Sequence, residues 1–332
     1  MVRETTVHST RSNATRVLIT GVAGFCGAHL AGRLRREGAV HLTGVDRAAR
    51  PAQCPVDEYY VADLDNEQEV AGIVERCHPA MIFHLAGLAP GASLALAATS
   101  TLELYRVNVM ATLRLLEAVR LHAPNSKVLL VGSAAEYGTV TESNLPVTEE
   151  HPCRPTTAYG ISKHAATLIG QDYARRLNMS IVIARPFNII GPGVPRSLVL
   201  GALLQRAKEA LSGTGAAVVK VGNLGSERDF IAVEDVVEAY WRMLQGDFRG
   251  EIFNLCSGEP CSIRKLGRVL LSNSSRPVRI EVDPALADRA SIFPFYGSNA
   301  KARRAFGFSP TVSLEESLSA AWRWEIEREG QR

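Results

Sequence analysis

"RVLITGVAGFCG" (Arg16–Gly27) is an apolar run that stops at a glycine and then places glycine at every third position: Gly21, Gly24 and Gly27. The run reads as a short strand, and the residues after it, Phe25–Glu37, have a helical pattern. Glycines between a strand and a helix permit a tight turn and let backbone N–H groups approach a pyrophosphate at the helix N-terminus. A second strand-like run, "AVHLTGVD", closes on Asp46. That is near the spacing at which a carboxylate bonds the ribose hydroxyls of an adenosine. Strand, glycine turn, helix, strand and acid together indicate a dinucleotide-binding unit.

Outward from this unit the alternation continues. "EYYVADL" reads as a third strand, a polar helix covers about 66–77, and "AMIFHLAG" follows. A long helix near 102–122, the strand "KVLLVGS", a further helix and the strand "SIVIARPFN" complete the pattern. Strands apolar on both faces and separated by helices imply an α/β fold, a doubly wound parallel Rossmann sheet covered on both sides. After Asn188 a Pro/Gly cluster, "GPGVP", precedes shorter and more varied segments. We expect a dinucleotide-binding domain over 16–186 and a smaller mixed α/β substrate domain over 187–332. Segments near 229–257 should return to the sheet, and 1–15 should form a flexible polar tail.

Bulk properties narrow the function. With 332 residues, 46% hydrophobic and 21% charged, the chain can bury a substantial core. A formal charge of +3 gives no reason to expect a nucleic-acid partner. The six cysteines lack C-x-x-C spacing, which argues for reduced thiols in the cytoplasm and against a zinc site; no metal is expected. No apolar run has the length of a membrane span.

The remaining chemistry is spread along the strand ends. Asp46 favours NAD(H), because a carboxylate repels a 2′-phosphate, while Arg47 beside it leaves NADP(H) open. Asp63 ends the third strand, suited to the adenine edge or to capping a helix. His84 reads as a satisfied strand-end histidine. Ser133 ends the fifth strand, on the edge where open α/β sheets place ligands. In "AYGISKHAA" Tyr159 and Lys163 lie one turn apart on one helix face. A neighbouring ammonium lowers the pKa of a phenol, and a serine hydroxyl on the same carbonyl oxygen polarises it. Ser133, Tyr159 and Lys163 are therefore the candidate catalytic residues of a hydride-transfer site.

These motifs, with Asp63-Leu64, "HLAG" and Asn108, make the chain resemble the extended short-chain dehydrogenases/reductases, from Arg16 to about Trp324. The family includes nucleotide-sugar epimerases, dehydratases and reductases. The resemblance implies a cofactor site of Gly21, Gly24, Phe25, Cys26, Gly27, Asp46, Arg47, Asp63, Leu64, Leu85, Ala86, Gly87, Asn108, Tyr159, Lys163 and Pro186. Gly87 departs from the usual "HLAA" and should be harmless. Beyond Tyr159, "RPFNIIGPG", "VGNLGSERDF" and "FNLCSGEPCSIRKL" are similar to the GDP-6-deoxy-4-keto-mannose reductases. That similarity implies Asn188, Arg228 and Arg289 at the diphosphate, with Ser133, Glu136 and Arg196 as further substrate contacts. A surface ion pair of Arg228 with Asp229 is the competing reading.

Five activities compete. The 4,6-dehydratases need extra acid and base groups two or three residues before the tyrosine of the Tyr-Gly turn, where this chain has Ala135 and Ala134. The same alanines argue against the decarboxylases, and GDP-fucose synthase would want a cysteine near Ala135. A 4-keto reductase is favoured by the C-terminal resemblance; a 4-epimerase with tightly held NAD shares Ser, Tyr and Lys and stays open. The helix near 102–122 is apolar nearly all round, which implies burial on more than one side. The family pairs such helices into the four-helix bundle of a homodimer.

Overall fold

The computed structural model describes residues 14–89, 100–213, 216–274, 276–283 and 294–327. The tail expected over 1–15 falls outside the described residues up to residue 13, and so does Arg289. The first unit runs β1 (Thr15–Thr20), α1 (Phe25–Leu34), β2 (Val40–Asp46), β3 (Glu58–Val61), α2 (Glu67–Cys77) and β4 (Met81–His84). It continues with α3 (Thr101–Tyr105), α4 (Ala111–His122), β5 (Lys127–Val131), α5 (Ala158–Arg176) and β6 (Ser180–Pro186). Then come β7 (Asn188–Ile190), α6 (Val199–Ser212), β8 (Ala217–Val221), β9 (Glu227–Ala232), α7 (Val233–Gln245) and β10 (Ile252–Leu255). The chain closes with β11 (Pro260–Ser262), α8 (Ile263–Leu271), β12 (Val278–Val282), α9 (Ala300–Phe306) and α10 (Leu314–Glu327).

Seven of these strands form one parallel sheet, ordered β10-β6-β5-β4-β1-β2-β3. Its strands are apolar on both faces because both faces are covered. Leu30 and Leu34 of α1 and Val236 and Tyr240 of α7 fill one side. Ile73 of α2, Leu115 and Leu116 of α4 and Tyr173 of α5 fill the other. The strand order reverses at β1, between β2 and β4, and this opens a cleft beyond the carboxyl ends of the strands. Of the 229–257 segment, α7 packs with α1 and β10 lies beside β6. β9 instead joins β7 and β11 in a separate three-stranded sheet.

The long helix expected near 102–122 is one-sided and interrupted. A π-turn over Arg106–Met110 separates α3 from α4. Such insertions cluster at functional sites. Leu104, Leu115, Leu116 and Val119 are buried, whereas Leu102 is 78% and Met110 40% exposed. An apolar composition all round the helix therefore corresponds to one face in the core and one face outside. Among the described residues no helix is long and apolar enough to cross a membrane.

Candidate active site

Gly21 has a φ of 72°, and a Cβ there would lie 2.6 Å from the Ala86 nitrogen. A Cβ at Gly27 would lie 2.1 Å from the Gly21 carbonyl, so the turn and α1 can touch only through glycine. Gly24 caps α1 with no side-chain hydrogen bond, leaving the first amide hydrogens of the helix available to an anion. Beside this turn lies a cavity of about 290 Å³ lined by Gly21, Gly24, Asp46, Arg47, Asp63, Leu64, Leu85, Ala86 and Gly87. The space left by the glycines, the uncapped helix end and a carboxylate at the far wall fit a dinucleotide.

At that far wall Asp46 accepts hydrogen bonds from the Ala23 and Ala48 nitrogens, each at 3.0 Å. These contacts fix its carboxylate in the cavity. Arg47 is turned to the surface and engaged by Glu103 at 3.3 Å. Asp63 accepts from the Asp65 nitrogen at 3.0 Å, and α2 is capped by Asn66 instead. Arg106, which the sequence reading missed, also lines the cavity and holds Asp65 at 2.9 Å and Glu103 at 2.8 Å. Its position within an apolar helical run hid it.

Toward β5 the catalytic candidates converge. Thr157 caps α5 through the Gly160 nitrogen at 3.0 Å, which sets Tyr159 in the first turn and Lys163 one turn on. Lys163 Nζ donates to the Val131 carbonyl at 3.0 Å. Burial lowers its pKa to about 8. Burial raises the Tyr159 phenol pKa and dominates the downward pull of Ser133, whose Oγ accepts from the Ala135 nitrogen at 3.2 Å. This corrects the expectation that Lys163 lowers it: the ammonium is directed at a backbone carbonyl. A phenol held protonated is suited to giving a proton away.

Asn108 sits in the π-turn. Its Nδ2 donates to Ser162 Oγ at 2.9 Å and to the Leu88 carbonyl at 3.0 Å, and its Oδ1 accepts from the Leu88 nitrogen at 2.8 Å. Ser162 in turn donates to the Tyr159 carbonyl at 2.8 Å, so the π-turn is tied to the catalytic helix. A Cβ at Gly87 would lie 3.1 Å from Lys163 Nζ and 3.2 Å from Asn108 Oδ1, so glycine lets the chain pass close to both. His84 is buried between Thr20 Oγ1 at 2.7 Å and Thr112 Oγ1 at 2.9 Å. Burial lowers its pKa to about 3, which keeps it neutral and structural. Cys26 faces the same region with its thiol pushed up to about 12 by burial. Phe25 packs edge-on against His29, and Pro186 closes β6 opposite Leu255.

Several substrate-side expectations change. Glu136 is fully buried, and Arg185 binds its carboxylate at 2.8 Å, so it is an interior group and not a substrate contact. It is the third residue of a short 3₁₀ turn, Ala134–Tyr137, and its side chain reaches back to the backbone of the Ser133 cap. Asp229 is also fully buried. It accepts from the Ser257 nitrogen and Oγ, both at 2.7 Å, and from the Gly258 nitrogen at 3.0 Å, which replaces the surface pair with Arg228. Arg228 donates to the Glu227 carbonyl at 2.8 Å. Asn188 is exposed and donates to the Asp229 carbonyl at 2.7 Å, so Asn188 and Arg228 sit on neighbouring strands. Arg196 is engaged by Glu325 of α10 at 3.2 Å.

Residues 17–256 match the NAD dependent epimerase/dehydratase family. The chain is 31% identical to the GDP-6-deoxy-D-mannose reductase of Pseudomonas aeruginosa, over 92% of this chain and 95% of that protein. It is 27% identical to the GDP-6-deoxy-D-talose 4-dehydrogenase of Aggregatibacter actinomycetemcomitans, over 88% and 91%. The structure of RMD from Pseudomonas aeruginosa complexed with NADPH superimposes with a TM-score of 0.78 at 28% identity, covering 95% of this chain and 98% of that one.

Proposed function

The chain belongs to the NAD dependent epimerase/dehydratase family, and from that premise we propose that it is a 4-keto reductase of nucleotide-linked 4-keto-6-deoxy sugars. The substrate is GDP-4-keto-6-deoxy-D-mannose, reduced to GDP-D-rhamnose by NAD(P)H, with NAD(H) preferred. One observation carries the choice among family activities. Positions 134 and 135 are alanine, and the one carboxylate of that turn, Glu136, is buried against Arg185. Without a further acid or base beside the sugar, elimination of water has no catalyst, whereas carbonyl reduction needs only the one proton donor that Tyr159 supplies. The similarity to a GDP-6-deoxy-D-mannose reductase supports reduction over epimerisation.

When bound, the nicotinamide supplies the hydride. Tyr159 gives its phenolic proton to the carbonyl oxygen, and Ser133 donates a hydrogen bond to the same oxygen as charge develops there. Lys163 keeps a positive charge beside both and holds the nicotinamide ribose. The glycine turn and the N-terminus of α1 take the pyrophosphate, and Asp46 takes the adenosine ribose. The segment from 187 onward forms the substrate domain, with Asn188 and Arg228 facing the sugar diphosphate.

The assembly is a homodimer that pairs the α3–α4 and α5 faces of two protomers. Leu102, Met110, Ile161 and Leu168, exposed by 78%, 40%, 43% and 51%, support this. Six unpaired cysteines support a cytoplasmic setting. Purified protein incubated with GDP-4-keto-6-deoxymannose and NADH or NADPH, with the sugar product identified by NMR, tests the activity. Formation of a 4-keto-6-deoxy sugar from GDP-mannose, or interconversion of two 4-hydroxy sugars without added cofactor, would overturn it in favour of dehydration or epimerisation.

A further inference from the structure

The mechanism leaves one buried ionic group unused. Glu136 Oε1 accepts from the Ser133 nitrogen at 2.8 Å and from Thr167 Oγ1 at 3.0 Å. Oε2 takes Arg185 Nε at 3.0 Å and Nη2 at 2.8 Å, with His164 Nδ1 at 3.5 Å. Thr167 and His164 belong to α5, which also carries Tyr159 and Lys163. The carboxylate thus joins the serine turn directly to the tyrosine helix. We infer that Glu136, braced by Arg185, is a positioning residue that fixes Ser133 against Tyr159 for proton transfer; only its catalytic readout rests on the reductase reading.

The surroundings are built for this contact. A Cβ at Gly132 would lie 2.2 Å from Glu136 Oε1, so glycine there makes room for the carboxylate. A Cβ at Gly160, next to Tyr159, would lie 2.5 Å from the Ala135 carbonyl, so the helix rests on the serine turn itself. Arg185 is anchored further back. It lies 4.9 Å over the Tyr137 ring, and the Tyr137 hydroxyl donates to Asn254 Oδ1 of β10 at 2.7 Å. A buried ion pair seldom stabilises a fold more than apolar residues of the same size would, and its best-attested use is to specify one arrangement. Glu136, Cys153 and His164 also place donor atoms within 4.8 Å of one another, but the Arg185 guanidinium already holds the carboxylate a cation would need.

The charged and titratable groups facing Glu136 are Arg185 from β6, His164 from α5, Cys153 from the preceding loop and Tyr137 from its own turn. Its charge raises the pKa of both Tyr159 and Lys163, which Cys26 faces from the glycine turn. Both groups must be protonated for reduction.

Glu136→Gln alone strands a buried guanidinium and can unfold the protein. The informative variant is therefore Glu136→Gln with Arg185→Gln, which removes both charges. In a folded double variant kcat should fall about 10- to 100-fold while the Kd for cofactor stays within about threefold. Adding Ser133→Ala should then cost less than about fivefold, against about 10²–10³-fold in the wild-type background, since the serine is already displaced. A kcat within about twofold of wild type, or fully additive losses, would overturn the inference. If wild type reduces no keto sugar, the reductase reading fails instead. The inference is then decided by crystal structures of wild type and of the double variant: a Ser133 Oγ displaced from the Tyr159 hydroxyl supports it, and an unmoved serine overturns it.

Discussion

In the proposed reading cofactor choice turns on Asp46, and Asp46→Asn tests it. The carboxylate is fixed by the Ala23 and Ala48 nitrogens, both at 3.0 Å, so it cannot swing away from an incoming group. A phosphate on the ribose oxygen that Asp46 bonds would bring like charges to about 5 Å. At an effective dielectric near 20 that costs about 3 kcal/mol per unit charge. The cavity is open, and Arg47 and Arg106 stand at its rim, so screening cuts the penalty to about 1.5–3 kcal/mol, or roughly 10- to 100-fold in affinity. Arg47 offsets little of this while Glu103 engages it at 3.3 Å. Wild type should therefore bind NADH at least about tenfold more tightly than NADPH. Asparagine keeps one acceptor for the backbone and removes the charge. It should tighten NADPH about tenfold and weaken NADH severalfold through loss of a charge-assisted hydrogen bond. Fluorescence titration of both cofactors against both proteins measures the ratio. A wild type that prefers NADPH, or a variant with an unchanged ratio, would refute the assignment of Asp46.

Tyr159→Phe should lower kcat by about 10²–10⁴-fold while leaving the Kd for cofactor within about threefold, because it deletes the proton donor and little else. Lys163→Ala should damage both quantities, and retained turnover in Tyr159→Phe would sink the proton-donor assignment. Leu168→Lys, placed on the half-exposed outer face of α5, should convert a dimer to monomers in light scattering at micromolar concentration; a wild type already monomeric there would count against the bundle.

What was legible in the sequence was what is locally dictated. The first βα turn is fixed by steric demands between neighbouring segments that only glycine meets at Gly21 and Gly27. Tyr159 and Lys163 face the same way because a helix repeats every 3.6 residues. The strands announced their burial on both faces through continuous apolar runs. Contacts between distant segments carried no such signal. Glu136 meets Arg185 across 49 residues, and a one-residue shift within a 3₁₀ turn decides whether that carboxylate faces substrate or core. Asp229 is turned inward by the backbone of Ser257 and Gly258, which follow the return of β10 to the main sheet. The apolar helix concealed its division into a core face and an outer face, and the π-turn that presents Asn108. Periodicity records how a side chain points relative to its own backbone. Only tertiary packing determines what waits there to satisfy or exclude its charge.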